Sequence, residues 1–154
     1  MIPGKMIFRE ALTSDIMQIQ RVRNSVHENR LSNPALVTDD DCRRFLSVEG
    51  KGWVCEADGR VVGFSIVDVL RKNIWALFVH PDYERKGIGK QLQFLMLTWY
   101  FQNYGEPVWL GTAPDTRAEK FYTYSGWRRK GMRDNGEVKF EMTKEEWLAL
   151  QPNR

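Results

Sequence analysis

The sequence predicts a mixed α/β (α+β) fold: a mostly antiparallel central sheet of six to seven strands, flanked by about four helices. Three stretches predict it. Residues 52–68 read as a hairpin of apolar strands around Asp58-Gly59, and 74–99 run from an apolar strand through a loop into an amphipathic helix. Residues 107–127 then pass from a second apolar strand into a short helix stopped by Gly126. Strands that meander into a loop differ from the strict strand-helix alternation of a parallel dinucleotide domain, so antiparallel pairing is expected on one side.

A chain of 154 residues can bury one respectable core, and a single domain over 1–154 is expected. Hydrophobic residues make up 42% and charged residues 28%, a globular balance without low-complexity runs or repeats. A net charge of +3, from 23 basic and 20 acidic residues, falls far short of a dedicated nucleic-acid binder. It suits an anionic small ligand, and no nucleic-acid partner is expected. No apolar run reaches the roughly 18 residues of a membrane span, and Met1–Lys5 lacks the apolar centre of a signal peptide. The expectation is a cytoplasmic protein with no membrane partner. Cys42 and Cys55 have neither metal-site spacing nor a neighbouring His, so buried, reduced thiols are expected, and no metal.

In chain order, Met6–Ala11 alternates as a first strand, and Thr13-Ser14-Asp15 offers capping chemistry for a helix that should end near Asn29 or Arg30. Ile16, Ile19, Gln20, Val22 and Val26 form its apolar stripe, with Arg21, Arg23 and Asn24 facing elsewhere. Residues 31–36 form a loop fixed by Asn33-Pro34, and Thr38-Asp39-Asp40-Asp41 opens a second helix through about Val48. The Asp run compensates the helix dipole. After the hairpin and the 74–79 strand, Leu92, Leu95, Met96 and Trp99 are spaced as the buried stripe of a helix ending near Tyr104-Gly105. Residues 107–112 return as a strand parallel to 74–79. The chain closes with a hairpin over 128–142 and a short helix opened by the Thr143–Glu146 capping box. The six tryptophans read as packing residues.

The most informative stretch is Val79-His80-Pro81-Asp82-Tyr83-Glu84-Arg85-Lys86-Gly87-Ile88-Gly89-Lys90. Two glycines at a helix start let several backbone N–H groups point at one anion, where the helix dipole already favours negative charge. Arg85, Lys86 and Lys90 add cations that suit a diphosphate. A Walker loop would need Gly at 84 and Ser or Thr at 91, where the chain has Glu84 and Gln91. A dinucleotide fingerprint would need Gly at 92, which is Leu. A plain helix start with turn glycines and no ligand is the bland alternative.

Glu84-Arg85-Lys86-Gly87-Ile88-Gly89 resembles the acyl-CoA-binding motif (Arg/Gln)-x-x-Gly-x-(Gly/Ala) of the GNAT (GCN-five-related N-acetyltransferase) family, with Glu84 departing at its first position. Ala118, Phe121, Tyr122, Gly126 and Trp127 resemble the family's later Asn-x-x-Ala-x-x-(Leu/Phe)-Tyr-x-x-x-Gly-(Phe/Trp), with Asp115 in place of Asn. The resemblance covers about residues 6–143. It implies the GNAT fold and acetyl-CoA as co-substrate, with Phe78 and Val79 binding pantetheine and the acyl carbonyl through their backbone. Arg85, Lys86, Gly87, Ile88, Gly89 and Lys90 would hold the diphosphate, and Asp115 would sit at a pantetheine contact.

The implied activity is direct transfer of an acetyl group to a primary amine within a ternary complex. By resemblance, Tyr122 protonates the departing thiolate, and Tyr124 is second choice; packing with a satisfied hydroxyl is the rival role for Tyr122. No base carries over from the family. Glu28 is the first candidate and Asp68 the second, ahead of His27 and of His80, which is expected to cap its loop. The acceptor, a small molecule or peptide, would be shaped by the 30–38 loop and its flanking helices. A non-catalytic acyl-CoA-binding or sensor module is the alternative, and exposed sheet edges leave room for a homodimer.

Overall fold

The structure, a computed structural model, describes residues 5–26 and 37–152. Seven strands form one sheet: β1 Met6–Glu10, β2 Gly50–Ala57, β3 Arg60–Asp68, β4 Asn73–Val79, β5 Val108–Thr112, β6 Arg128–Met132 and β7 Val138–Met142. Their spatial order is β1-β2-β3-β4-β5-β7-β6. Every neighbouring pair is antiparallel except β4 and β5, which run parallel. The helices are α1 Ile16–Ser25, α2 Asp39–Ser47, α3 Ile88–Asn103, α4 Arg117–Tyr124 and α5 Lys144–Leu150.

Each chain reversal follows from local chemistry. Asp58 and Gly59 both take positive φ, 53° and 82°, as a tight turn between β2 and β3 demands. The threonines Thr38, Thr116 and Thr143 cap α2, α4 and α5, each accepting a backbone N–H of the first turn. Gly126, at φ 90°, takes the left-handed conformation after α4.

The sheet separates two apolar layers. On one face α1 and α2 cover Val54, Val61, Phe64, Ile66 and Ala76, with Ile19, Val22 and Phe45 filling the space between. On the other, α3 lies over Trp53, Cys55, Val67, Ile74 and Val108, joined by Tyr122, Trp127 and Trp147. Burying each large side chain in these layers contributes roughly 1.5–3 kcal/mol. Both cysteines are buried free thiols, each pushed up to about 11 by burial.

Three local expectations are corrected. Helix α1 stops at Ser25, short of Asn29: the Ser25 hydroxyl donates to the Val22 carbonyl at 2.6 Å, and β-branched Val26 is already extended. Arg23 lies within the buried face of α1 with Ile16, Ile19 and Val22, only 9% exposed, whereas Arg21 and Asn24 are exposed as expected. The buried stripe of α3 is Ile88, Leu92, Gln93, Met96, Leu97, Tyr100 and Phe101. Leu95 and Trp99 are only half-buried at its flank, because Trp99 packs edge-on against Trp53 at 5.7 Å beside the helix.

Candidate active site

The site begins where β4 ends. The N–H of His80 donates to the Val62 carbonyl at 2.8 Å, and Pro81 then turns the chain out of the sheet. His80 caps this turn as expected, its Nδ1 accepting the N–H of Asp82 at 3.1 Å. Two left-handed residues follow, Arg85 at φ 64° and Gly87 at φ 80°, and they aim the chain into α3. Helix α3 starts differently from α2, α4 and α5. Its N-cap is Gly87, with no side-chain acceptor for the first N–H groups, and a Cβ there would meet no atom within 4 Å. The uncapped helix end therefore opens onto space, and that space is a cavity of about 390 Å³.

This cavity brings together most of the predicted cradle: Phe78, Val79, Arg85, Gly87, Ile88, Gly89 and Lys90 line it, with Leu77, Tyr83 and Phe121. Lys86 is exposed and lies outside the lining. Asp115 is also exposed and outside it, left-handed at φ 61°, with its N–H donated to Glu119 at 2.7 Å. Arg117, at the start of α4, lines the cavity and pairs with Glu84 at 3.0 Å. The acidic departure from the family motif thus faces a cation from the second motif. Backbone N–H groups at a helix N-terminus, two left-handed residues and the cations Arg85, Lys90 and Arg117 suit a phosphate-bearing ligand.

Strands β4 and β5 share a single register pair, Asn73 with Trp109, before they diverge. Beyond that pair no described strand pairs with β4 on its β5 side, which leaves backbone polar groups there for a ligand. A second cavity of about 210 Å³ lies at the divergence, lined by Arg23, Val37, β4 residues 74–78, Leu110, Gly111, Thr112 and Glu137. Leu77, Phe78, Ala118 and Tyr122 line both cavities. Tyr122 is 7% exposed and held by Phe121, Trp127 and Phe140 at ring-centroid distances of 5.3, 5.8 and 6.1 Å. Burial pushes its phenol well above the usual tyrosine range, so it stays protonated at neutral pH. A protonated hydroxyl on the wall between two cavities is placed to give a proton to a group arriving from either side.

Other candidate acids and bases are placed as follows. Glu28 and His27 lie outside the described residues, as does most of the 30–38 loop. Asp68 is 1% exposed at the far end of β3, where its carboxylate accepts from the N–H groups of Leu70 and Arg71 and pairs with the Arg71 guanidinium at 2.9 Å. That is a turn-closing role, and Asp68 is in neither cavity lining. Tyr124 is 88% exposed.

The sequence reading missed Arg23, Trp75 and Glu137, which come from α1, β4 and the residue just before β7. Arg23 had a visible signal, since it falls four after Ile19 and seven after Ile16, on the buried stripe. Trp75 is aimed by a bulge: Ile66 pairs with Ala76 and Val67 with Ile74, which leaves Trp75 the extra residue, packed on Phe45 at 4.5 Å. Glu137 accepts from Arg133 at 2.5 Å and from Asn135 at 3.1 Å, and a Cβ on Gly111 would come within 2.5 Å of its Oε1. Gly111 is what lets this carboxylate lie over β5.

The fold is shared with many solved structures. PaiA N-acetyltransferase from Thermoplasma acidophilum, in complex with coenzyme A, superposes with a TM-score of 0.78 at 16% identity, covering 90% of this chain and 99% of that one. YncA from Salmonella typhimurium with its cofactor acetyl-CoA gives 0.71 at 17% identity, with 90% and 93% covered. The ribosomal-protein-S18-alanine N-acetyltransferase from Escherichia coli gives 0.69 at 16%, with 90% and 92% covered. None of the curated proteins compared matches the chain in sequence. The family model described as "Acetyltransferase (GNAT) family" matches residues 14–127, which takes in α1, the cradle, β5 and α4. On that match, and with the mostly antiparallel seven-stranded sheet opened between β4 and β5, the chain belongs to the GNAT acetyltransferase family.

Proposed function

We propose that the protein is an N-acetyltransferase that moves an acetyl group from acetyl-CoA to a primary amine while both are bound. The observation that carries this is the buried Tyr122 forming a wall of two cavities, one phosphate-friendly and one lined by aromatic, aliphatic and charged side chains. The residues fit acetyl-CoA: the uncapped start of α3 with Arg85, Gly87, Ile88, Gly89 and Lys90 would hold its diphosphate, with Lys86 at the rim. The unpaired side of β4 at Phe78 and Val79 would hold the pantetheine arm and the acyl carbonyl. Acetyl-CoA supplies an acyl group activated as a thioester.

The chain's own residues then do three things. The β4 backbone orients the carbonyl. The second cavity presents the amine to it, so that a C–N bond forms as the C–S bond breaks. Tyr122 gives its proton to the departing sulfur, and a base takes one from the amine. Glu28 is proposed for that base, with Glu137 the carboxylate that lines the acceptor cavity among the described residues. The second cavity favours an enzyme over a sensor, which needs only the cradle. The proposal keeps the cytoplasmic location expected from the sequence; no described helix is long and apolar enough to cross a membrane.

The test is release of free thiol from acetyl-CoA by the purified protein across a panel of primary amines, with the acetylated product identified by mass. Amine-dependent release supports the proposal. Tight acetyl-CoA binding with no amine-dependent release from any member would overturn it in favour of the sensor.

A further inference from the structure

We propose that Gln93 is a positioning residue: by holding the Trp127 indole it fixes where the Tyr122 phenol points. The inference rests on the acetyl-transfer reading above and deepens it by naming what aims the proton donor. Gln93 lies in α3 and is 4% exposed, although the buried residues around it, Leu92, Met96 and Leu97, are apolar. Its side-chain carbonyl accepts the indole N–H of Trp127 at 2.8 Å, and Trp127 is itself 5% exposed. The indole donor is thus satisfied inside the apolar layer that also buries Tyr122.

Stability alone does not explain this pair. Exchanging both partners of a buried hydrogen bond for apolar groups of similar shape is nearly neutral or stabilising, so two apolar side chains would tie α3 to this segment as well. What the hydrogen bond adds is direction: dispersion contacts tolerate some rotation of an indole ring, whereas a short N–H···O contact fixes its plane. Trp127 passes that direction to Tyr122 by two routes. Its backbone N–H donates to the Tyr122 carbonyl at 3.1 Å, and its ring meets the Tyr122 ring edge-on, with centroids 5.8 Å apart and planes at 76°.

The other flank of Tyr122 rests on the same helix. Phe121 meets the Tyr122 ring at 5.3 Å and lies over Gly89, where a Cβ would be 3.7 Å from the Phe121 ring. Gly89 and Gln93 are four residues apart, so they share one face of α3, and Gly89 also lines the cradle. One turn of α3 therefore touches both aromatic neighbours of Tyr122. The helix whose start is proposed to hold acetyl-CoA also sets the angle of the proton donor. A misplacement of about 1 Å can cost about 10²-fold in rate, so the aim of the phenol matters as well as its presence.

The experiment is a double-mutant cycle read in kcat. Thiol release with the best amine is measured for the wild type, Gln93→Leu, Tyr122→Phe and the two combined, beside titration of each protein with acetyl-CoA. Gln93→Leu should lower kcat about three- to ten-fold, less than Tyr122→Phe does, and keep acetyl-CoA affinity within about two-fold. With Tyr122→Phe already in place, Gln93→Leu should change kcat less than about two-fold, because no phenol proton is left to aim. Gln93→Leu alone leaves the indole N–H unpaired and costs stability, so a companion pair, Gln93→Leu with Trp127→Phe, removes the donor as well. Its thermal midpoint should lie within about 5 °C of the wild type, and its loss in kcat should persist. Unchanged kcat in Gln93→Leu overturns the inference, as does an equal loss with and without the Tyr122 hydroxyl, which would make Gln93 a packing residue only. Wild-type kcat in the companion pair overturns it even where the single variant does not fold. Failure of the underlying reading looks different: no amine-dependent thiol release by the wild type, or full kcat in Tyr122→Phe, removes the proposed chemistry and this inference with it.

Discussion

Replacing Tyr122 by Phe separates the chemical role of this side chain from its packing role. The ring contributes the contacts with Phe121, Trp127 and Phe140, and all of them survive the change. Burial alone raises the pKa of the hydroxyl, with no hydrogen bond contributing to the shift, so its removal should alter stability by less than about 1 kcal/mol. Acetyl-CoA affinity should change by no more than about five-fold, the worth of one neutral hydrogen bond. Turnover is where the loss belongs. A positioned general acid is worth about 10²–10⁴-fold, but a thiol ionises near pH 8.5 and its thiolate leaves fairly well unaided. Burial also raises the Tyr122 pKa and makes it a weaker acid. Both effects put the loss at the low end, about 10–100-fold in kcat. The assay is steady-state thiol release with the best amine, beside titration of acetyl-CoA into both proteins. A raised pKa also fixes the sign of the pH dependence: Tyr122 keeps its proton through the neutral range, so it adds no alkaline fall in kcat below about pH 10. Unchanged kcat in Tyr122→Phe would refute the proton-donor role, and parallel loss of acetyl-CoA binding would reassign the residue to packing.

Glu84 lines the cradle and pairs with Arg117, so Glu84→Gln removes a negative charge where a diphosphate is proposed to bind. Coenzyme A should bind about five-fold more tightly at low ionic strength, with the gain shrinking as salt rises; weaker binding would mean that the pair holds Arg117 in place for the ligand. Cys42 and Cys55 have thiols pushed from the usual 9.0 to about 11. The folded state therefore keeps protons that the unfolded chain loses, and stability present below about pH 9 should fall as pH rises toward 11, on the order of 1–2 kcal/mol per thiol by pH 10.5. Urea unfolding at pH 8 and 10.5 measures this, and a Cys55→Ala chain should show the shallower decline. The Tyr100 hydroxyl is buried with no partner among the described residues, so Tyr100→Phe should raise stability by about 1 kcal/mol; a thermal or urea midpoint that falls would reveal an ordered water bound there.

Much of the fold is legible in the residues because it is set locally. The Thr38 and Thr143 caps, the Asp58-Gly59 turn and the strand alternation over 52–68 each specify structure within a few residues and appear where the sequence places them, whereas Thr13–Asp15 winds into a short 3-10 turn and gives α1 no side-chain cap. The cradle is legible for the same reason: Gly87 is both the N-cap of α3 and the point where the cavity opens. The acceptor side is not. Arg23, Trp75 and Glu137 lie far apart in the chain and meet only through the sheet order, and Trp75 depends on a bulge that alternation alone does not announce. By polarity Arg23 reads as outward-facing, because charged residues on amphipathic helices ordinarily face water. Its place on the 16-19-23 stripe was the stronger physical cue, and a buried cation at a cavity wall is where such a conflict between polarity and periodicity carries functional information.

The most direct test of the central claim is isothermal titration of the purified protein with acetyl-CoA and, separately, with coenzyme A. A ligand-binding cradle at the start of α3 predicts saturable binding of both, in the micromolar range, with one molecule per chain and affinity that weakens as salt rises. Absence of heat and of any thermal shift with either ligand would contradict it.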